Sequence, residues 1–253
     1  MVRYEIMGAP RVYDRGEYRT VSAHKIEILL VALIVRGERG ASVEELLVEI
    51  WGGCPPRSAH AALHVYVSQL RKFLGRRGVR GPIVTRAPGY ALALGGDTLD
   101  VRAFQALMDR GRRQLRAGQH EVAAETLQRA LDHWRGGALF SQCDGPILTS
   151  FGAWLEEARL ECVELLIESK MAMGRYRELV GFLTGLIDEY PLREGFYRLL
   201  MTVLCRCERR ADAVRVFRSA CRTLNDELGL EPGRALREAH QVALAADDLS
   251  TVD

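Results

Sequence analysis

The sequence predicts a mainly α chain in two parts. An N-terminal α+β module covers residues 1–96, and an all-α module covers residues 97–253. Three observations predict this. Strand and hairpin signals end near Gly95-Gly96-Asp97, and amphipathic helical periodicity fills the chain after Asp100. The charge balance also reverses there, with 14 Lys/Arg against 8 Asp/Glu in residues 1–96 and 21 against 25 in residues 97–253. A length of 253 residues suits one to two domains.

The elements follow in order. Residues 3–6 alternate, Gly8-Ala9-Pro10 breaks the run, residues 11–13 extend again, and Asp14-Arg15-Gly16 supplies a hairpin turn. A first helix is expected from about Ala23, with Ser22 as N-cap and an apolar face through Ile26, Leu29, Leu30, Leu33 and Ile34. Arg36-Gly37 ends it. Ser42-x-x-Glu45 is a capping box that opens a second helix running to Trp51. Gly52 to Pro56 forces a loop, and a third helix runs from near Ser58 to Gly75. Residues 83–85 and 90–94 form a β-hairpin around Ala87-Pro88-Gly89. Strands, three helices and a closing hairpin describe a winged helix-turn-helix.

In the second module, helices are expected near 100–117, 119–134, 150–173, 175–189, 192–206, 210–228 and 232–245. Residues 118–131, 174–187 and 208–221 align as an internal repeat, matching Ala123/Leu179/Ala213, Leu127/Leu183/Phe217 and Ala130/Leu186/Ala220. The last two copies start 34 residues apart, the tetratricopeptide period, so the module is expected to be tetratricopeptide-like. Stacked helix hairpins of that kind offer a concave surface for a protein partner.

Composition narrows the function class. Hydrophobic residues at 48% and charged residues at 27% exclude a disordered or collagen-like chain. The longest apolar run, residues 28–35, is too short to span a bilayer, and residues 1–5 carry no export signal. A cytoplasmic, nucleoid-associated protein with no membrane partner is expected, its six cysteines reduced. Residues 51–96 hold Arg57, Arg71, Lys72, Arg76, Arg77, Arg80 and Arg86 and no acid. Such a block can neutralise a polyanion by releasing condensed counterions.

The third helix carries the pattern further. Leu63, Val67, Leu70 and Leu74 form one apolar stripe for the core. At 100° per residue the opposite face presents Ala61, Val65, Ser68 and Lys72, with His64 and Arg71 on one flank and Gln69 and Arg76 on the other. Gln69 can pair with adenine and Val65 can pack on a thymine methyl in a major groove. Arg71, Lys72, Arg76 and Arg77 suit phosphates, which fix register without reading sequence. Arg86, beside the hairpin turn, suits a narrow minor groove. The alternatives are an ordinary amphipathic surface helix and a loop arginine paired with solvent.

These residues resemble a known family. Val43-Glu-Glu-Leu-Leu to Trp51, Pro55-Pro56, Ala62-Leu63 to Lys72, and Thr85-Arg86-Ala87-Pro88-Gly89-Tyr90 resemble the OmpR-type winged helix of the Streptomyces antibiotic regulatory protein family of transcription activators. Ala130-Leu131-x-x-Trp134-Arg-Gly, Glu189-Tyr-Pro-Leu-Arg-Glu194 and Glu227-Leu-Gly-Leu-Glu-Pro-Gly233 resemble the family's bacterial transcriptional activation domain. The resemblance covers about residues 2–245 and looks like a minimal member without appended modules. It implies activation of secondary-metabolite, antibiotic gene clusters through direct repeats near the promoter −35 region, with self-association on DNA. It also implies recruitment of RNA polymerase and its principal sigma factor. Carried over residue by residue, Val65 and Gln69 contact bases, while Ser68, Arg71 and Arg86 contact the DNA backbone. Arg57, Ser58, His64, Lys72, Arg76 and Arg77 complete the expected DNA-binding set. The loop of Gly52, Gly53, Cys54, Pro55, Pro56 and Arg57 is where polymerase is expected to meet the chain. Two positions depart from the family: Gln69 replaces a frequent arginine, which shifts the expected base preference, and Ala23-His24-Lys25 replaces Pro-Arg-Lys, so no backbone contact is carried over to His24.

Enzyme signatures are missing. No Gly-x-x-x-x-Gly-Lys-Ser/Thr, no Gly-x-Ser-x-Gly and no dinucleotide fingerprint occurs. His60 and His64 have the i, i+4 spacing of a metal pair but lack a third ligand nearby, and Cys205-x-Cys207 is too closely spaced for zinc. Glu156-Glu157 and Asp247-Asp248 read as solvated charge. No catalytic residue, metal or cofactor is expected. A protein-interaction scaffold and a ligand-gated regulator stand as the alternatives to a DNA-binding activator.

Overall fold

The computed structural model describes residues 2–75, 81–136 and 145–245, mainly helical with small sheets near the N-terminus. β1 (Arg3–Glu5) pairs antiparallel with β2 (Arg11–Asp14), which turns back into β3 (Glu17–Arg19). Asp14 faces Glu17 across a two-residue turn in which Arg15 and Gly16 have φ of 54° and 91°. Paired positive φ values are what a tight hairpin requires. β7 (Thr98–Leu99) joins parallel to β1, giving the order β3-β2-β1-β7.

α1 (His24–Arg36) follows. Ala23 rather than Ser22 occupies its N-cap, with no side-chain cap hydrogen bond, a correction to the sequence expectation. Its N-terminus is held by backbone bonds from Ile26 and Glu27 to the Ala23 carbonyl instead. Ile26 and residues 28–34 are all buried, because α1 packs on α2 (Val43–Trp51), α3 (Ala59–Leu74) and β6 (Gly89–Leu92) together. That enclosure explains the apolar run: a helix covered on several sides loses its polar face. The capping box forms, with Ser42 Oγ accepting from the Glu45 amide at 3.1 Å and Glu45 Oε2 accepting from the Ser42 amide at 2.8 Å. β4 (Ala41–Ser42), β6 and β5 (Ile83–Arg86) form a second sheet in the order β4-β6-β5. A Cβ at Gly89 would overlap the Ala41 carbonyl, so glycine permits the close pairing of β4 with β6.

Contacts divide the chain into two compact units, residues 1–117 with 125–165, and residues 118–124 with 166–253. In the first unit, α4 (Asp100–Arg116) and parts of α5 (His120–Leu131) and α6 (Pro146–Ala172) join the N-terminal elements. Two buried carboxylates tie them together. Asp100 Oδ2 accepts from the Ile6 and Met7 amides at 2.8 and 2.9 Å. Glu49, 2% exposed, accepts from the Ile147 and Leu148 amides at 2.7 and 3.1 Å, capping the start of α6. A side chain at Gly145 would overlap that carboxyl group.

In the second unit, α7 (Tyr176–Glu189), α8 (Glu194–Arg206) and α9 (Arg210–Leu228) pack in succession, and α10 (Arg234–Ala245) lies on α8 and α9. The positions aligned as a repeat are buried throughout the chain except Phe217, which is half-buried and stacks on His240 at 3.9 Å. The Tyr190-Pro191 turn is held by Tyr197 Oη donating to the Pro191 carbonyl at 2.9 Å. Gly229 ends α9 in the left-handed conformation, and the Gly233 amide donates to Glu194 at 2.7 Å.

Candidate nucleic-acid interface

α3 carries most of the expected contact residues. Leu63, Val67, Leu70 and Leu74 are buried, while Ala61, Val65, Ser68, Gln69 and Lys72 are exposed, Val65 by 52%. The first turn of α3 contains no acid, Ser58 at the N-cap makes no side-chain cap bond, and the Ala59 amide donates to the Pro56 carbonyl at 2.9 Å. Arg57 and Ser58 are exposed. In the loop before them, Gly52 closes α2 at a φ of 66°, and Gly53, Cys54, Pro55 and Pro56 are exposed. Arg76 and Arg77 lie outside the described residues.

The hairpin-facing flank of α3 is tied down. Arg71 Nε donates to the Ile83 carbonyl at 3.2 Å, and its Nη2 donates to Thr85 Oγ1 at 2.8 Å. Its guanidinium also lies 5.8 Å from the Tyr90 ring centre. His64 Nδ1 is 2.8 Å from the Tyr90 hydroxyl, which donates when the imidazole proton is on Nε2. Tyr90 is 5% exposed, so it belongs to the packing between hairpin and helix. Arg86 reaches back along the sheet and donates to the Glu38 carbonyl at 2.8 Å. Three of the expected contacts, His64, Arg71 and Arg86, are therefore also structural ties. Their acceptors are neutral, so the arginine charges remain while the donor geometry is committed.

The opposite flank was not singled out from the sequence. Tyr66 stacks on Trp51, with ring centres 5.8 Å apart and planes at 16°. The Lys25 ammonium lies 5.1 Å from the Trp51 ring centre, and the Arg19 guanidinium lies 4.4 Å from that of Phe73. Arg19 and Lys25 are exposed and form no ion pair among the described residues. Helical periodicity in residues 58–75 cannot reveal them, because they arrive from β3 and from the start of α1.

The cations beside β1 are paired. Glu5 meets Arg3 and Arg11 at 2.7 Å each and Arg135 at 3.5 Å. Burial raises the Glu5 pKa, but the Arg11 hydrogen bond and the charges of Arg11, Arg3 and Arg135 outweigh it and hold the carboxyl below its ordinary value. Burial pushes Asp100 the other way, above its ordinary value, despite the amides of Met7, Ile6 and Val101. Among the described residues, no three His, Cys, Asp or Glu side chains converge as a metal site would need. No helix among them is long and apolar enough to cross a membrane.

Similarity to known proteins makes this chain a transcription regulator. Residues 99–244 match the family model described as bacterial transcriptional activator domain. The chain belongs to the Streptomyces antibiotic regulatory protein family of transcriptional activators. The regulatory protein AfsR of Streptomyces coelicolor is 35% identical over 247 residues, which are 97% of this chain and 24% of AfsR. The transcriptional regulator RedD of the same organism is 34% identical over 255 residues, covering 99% of this chain and 73% of RedD. Among solved structures, Mycobacterium tuberculosis EmbR in complex with a low-affinity phosphopeptide superimposes with a TM-score of 0.88 at 29% identity, covering 96% of this chain and 65% of that one. The chain thus spans about a quarter of AfsR and under two thirds of the EmbR chain. The family consists of transcriptional regulators rather than enzymes.

Proposed function

We propose that this chain is a sequence-specific DNA-binding activator of a secondary-metabolite, antibiotic gene cluster. In this reading residues 1–96 form an OmpR-type winged helix-turn-helix, and residues 97–253 form a tetratricopeptide-like activation domain. α3 enters the major groove of promoter DNA. Gln69 pairs with a base edge, Val65 packs on a thymine methyl, and Ser58, Ser68, Arg57 and Lys72 meet phosphates. Arg71 and His64 fix the hairpin against α3 while Arg86 approaches the minor groove, and the arginine charges add to the field felt by DNA. Arg76 and Arg77, which follow α3 in the sequence, add phosphate-neutralising charge in this reading.

Two copies occupy successive direct repeats near the −35 region. The loop of Gly52, Gly53, Cys54, Pro55 and Pro56 meets RNA polymerase with its principal sigma factor. The site of action is the cytoplasmic nucleoid. No cofactor is invoked.

The observation that carries this reading is the acid-free, exposed face of α3, where Val65 and Gln69 stand among cations that no described carboxylate neutralises. The test is fluorescence anisotropy of the full chain on its own upstream region against scrambled DNA. Binding of the upstream fragment about a thousandfold tighter than scrambled DNA is the expected result. Equal, weak binding to both would contradict it.

A further inference from the structure

We infer that Arg19 and Lys25 form a phosphate grip along the Gln69 flank of α3, each cation presented on an aromatic ring; this rests on the DNA-binding reading of α3 above. Residues three and four apart on a helix are surface neighbours. Tyr66, Gln69 and Phe73 are spaced by three and four, so the rings of Tyr66 and Phe73 flank the Gln69 side chain along one edge of the helix. Each ring leads to a cation. Arg19 of β3 lies on Phe73 at 4.4 Å, and Lys25 of α1 lies at 5.1 Å on Trp51, which stacks on Tyr66.

A ring face attracts a cation without neutralising it, and it restrains a long side chain before any ligand arrives. Neither Arg19 nor Lys25 has a carboxylate partner among the described residues, and both are exposed. This differs from the cations around Glu5, which are paired, and from Arg71 and Arg86, whose donors hold the hairpin. Two unneutralised, ring-backed charges on either side of a base-reading amide match the backbone of the strand that borders a major groove. In that position they set the depth and tilt of α3, and hence which base edge Gln69 reaches.

The test is the salt dependence of anisotropy-measured affinity for the upstream fragment, with thermal unfolding followed in parallel. Each phosphate contact contributes about 0.9 to the slope of log affinity against log salt. Arg19→Gln and Lys25→Gln should each flatten the slope by about 0.9, and the double variant by about 1.8. Arg19→Lys with Lys25→Arg should restore the wild-type slope, which a loss of folding would not do. A wild-type slope in the double glutamine variant would overturn the grip while leaving DNA binding by α3 intact. A wild-type chain that shows no preference for its upstream DNA would remove the DNA-binding reading, and the grip with it.

Discussion

The two flanks of α3 carry similar numbers of cations and use them differently. On the hairpin side, Arg71 is bonded to Ile83 and Thr85, and Arg86 is bonded to Glu38. On the Gln69 side, Arg19 and Lys25 rest on rings with no acceptor among the described residues. The comparison teaches that a count of basic residues does not count available charges. A guanidinium whose donors hold a strand serves the fold first, whereas one held on a ring keeps its donors for a partner.

The largest expected effect lies at the buried carboxylate that caps α6, in the same compact unit as α3. Glu49→Ala leaves two buried amides at the start of α6 without an acceptor, and should cost about 2–5 kcal/mol in chemical or thermal unfolding. An unfolding midpoint close to wild type would mean that α6 finds another cap. Arg71→Lys sharpens the comparison itself. Lysine keeps the charge but cannot span both acceptors, so stability should fall by about 1–3 kcal/mol while the salt slope of DNA binding stays put. Full stability in Arg71→Lys would mean that the Ile83 and Thr85 bonds do not hold the hairpin, and would reverse the role assigned to this flank. Tyr90→Phe deletes the hydroxyl bonded to His64 and should cost about 0.5–1.5 kcal/mol, read as a small shift in the unfolding midpoint.

The smallest effect is one of pH. Because Glu5 has a folded pKa below its ordinary value, its contribution to stability is complete above the ordinary carboxylate range and is lost as pH falls through the folded value. Asp100, whose folded pKa is raised, acts with the opposite sign, and stability falls as pH rises from its ordinary value through the raised one. Glu5→Gln should therefore flatten the acid side of the stability profile and leave the Asp100 limb in place. An unchanged acid limb would mean that the Arg3, Arg11 and Arg135 cluster does not hold Glu5 ionised.

Much of the fold was legible because its signals are local. The capping box at Ser42 and Glu45, the apolar stripe of α3, the hairpin turn before Gly89 and the recurring small residues of the second module all act within a few residues. What escaped acts across the chain. Ser22 is a good N-cap residue by composition, yet α1 starts one residue later, because the Ala23 carbonyl receives the first amides. β7 has two residues and forms only because β1 offers a free edge. Asp100 and Glu49 look like ordinary helix acids, and nothing near them in sequence announces the partners 94 and 98 residues away. The candidate site divides in the same way. The exposed face of α3 followed from periodicity, while the commitments of His64, Arg71 and Arg86 and the arrival of Arg19 and Lys25 depend on which strands pack beside the helix.

The central claim is that α3 reads sequence through Gln69, and the most direct test is a panel of single base-pair substitutions across the bound site, measured with wild type and Gln69→Ala. Wild type should lose about 1–3 kcal/mol at the base pair that Gln69 contacts, and Gln69→Ala should lose discrimination at that position alone. If Gln69→Ala weakens every sequence equally, cognate and random alike, Gln69 does not read a base and the orientation of α3 proposed for this chain is wrong.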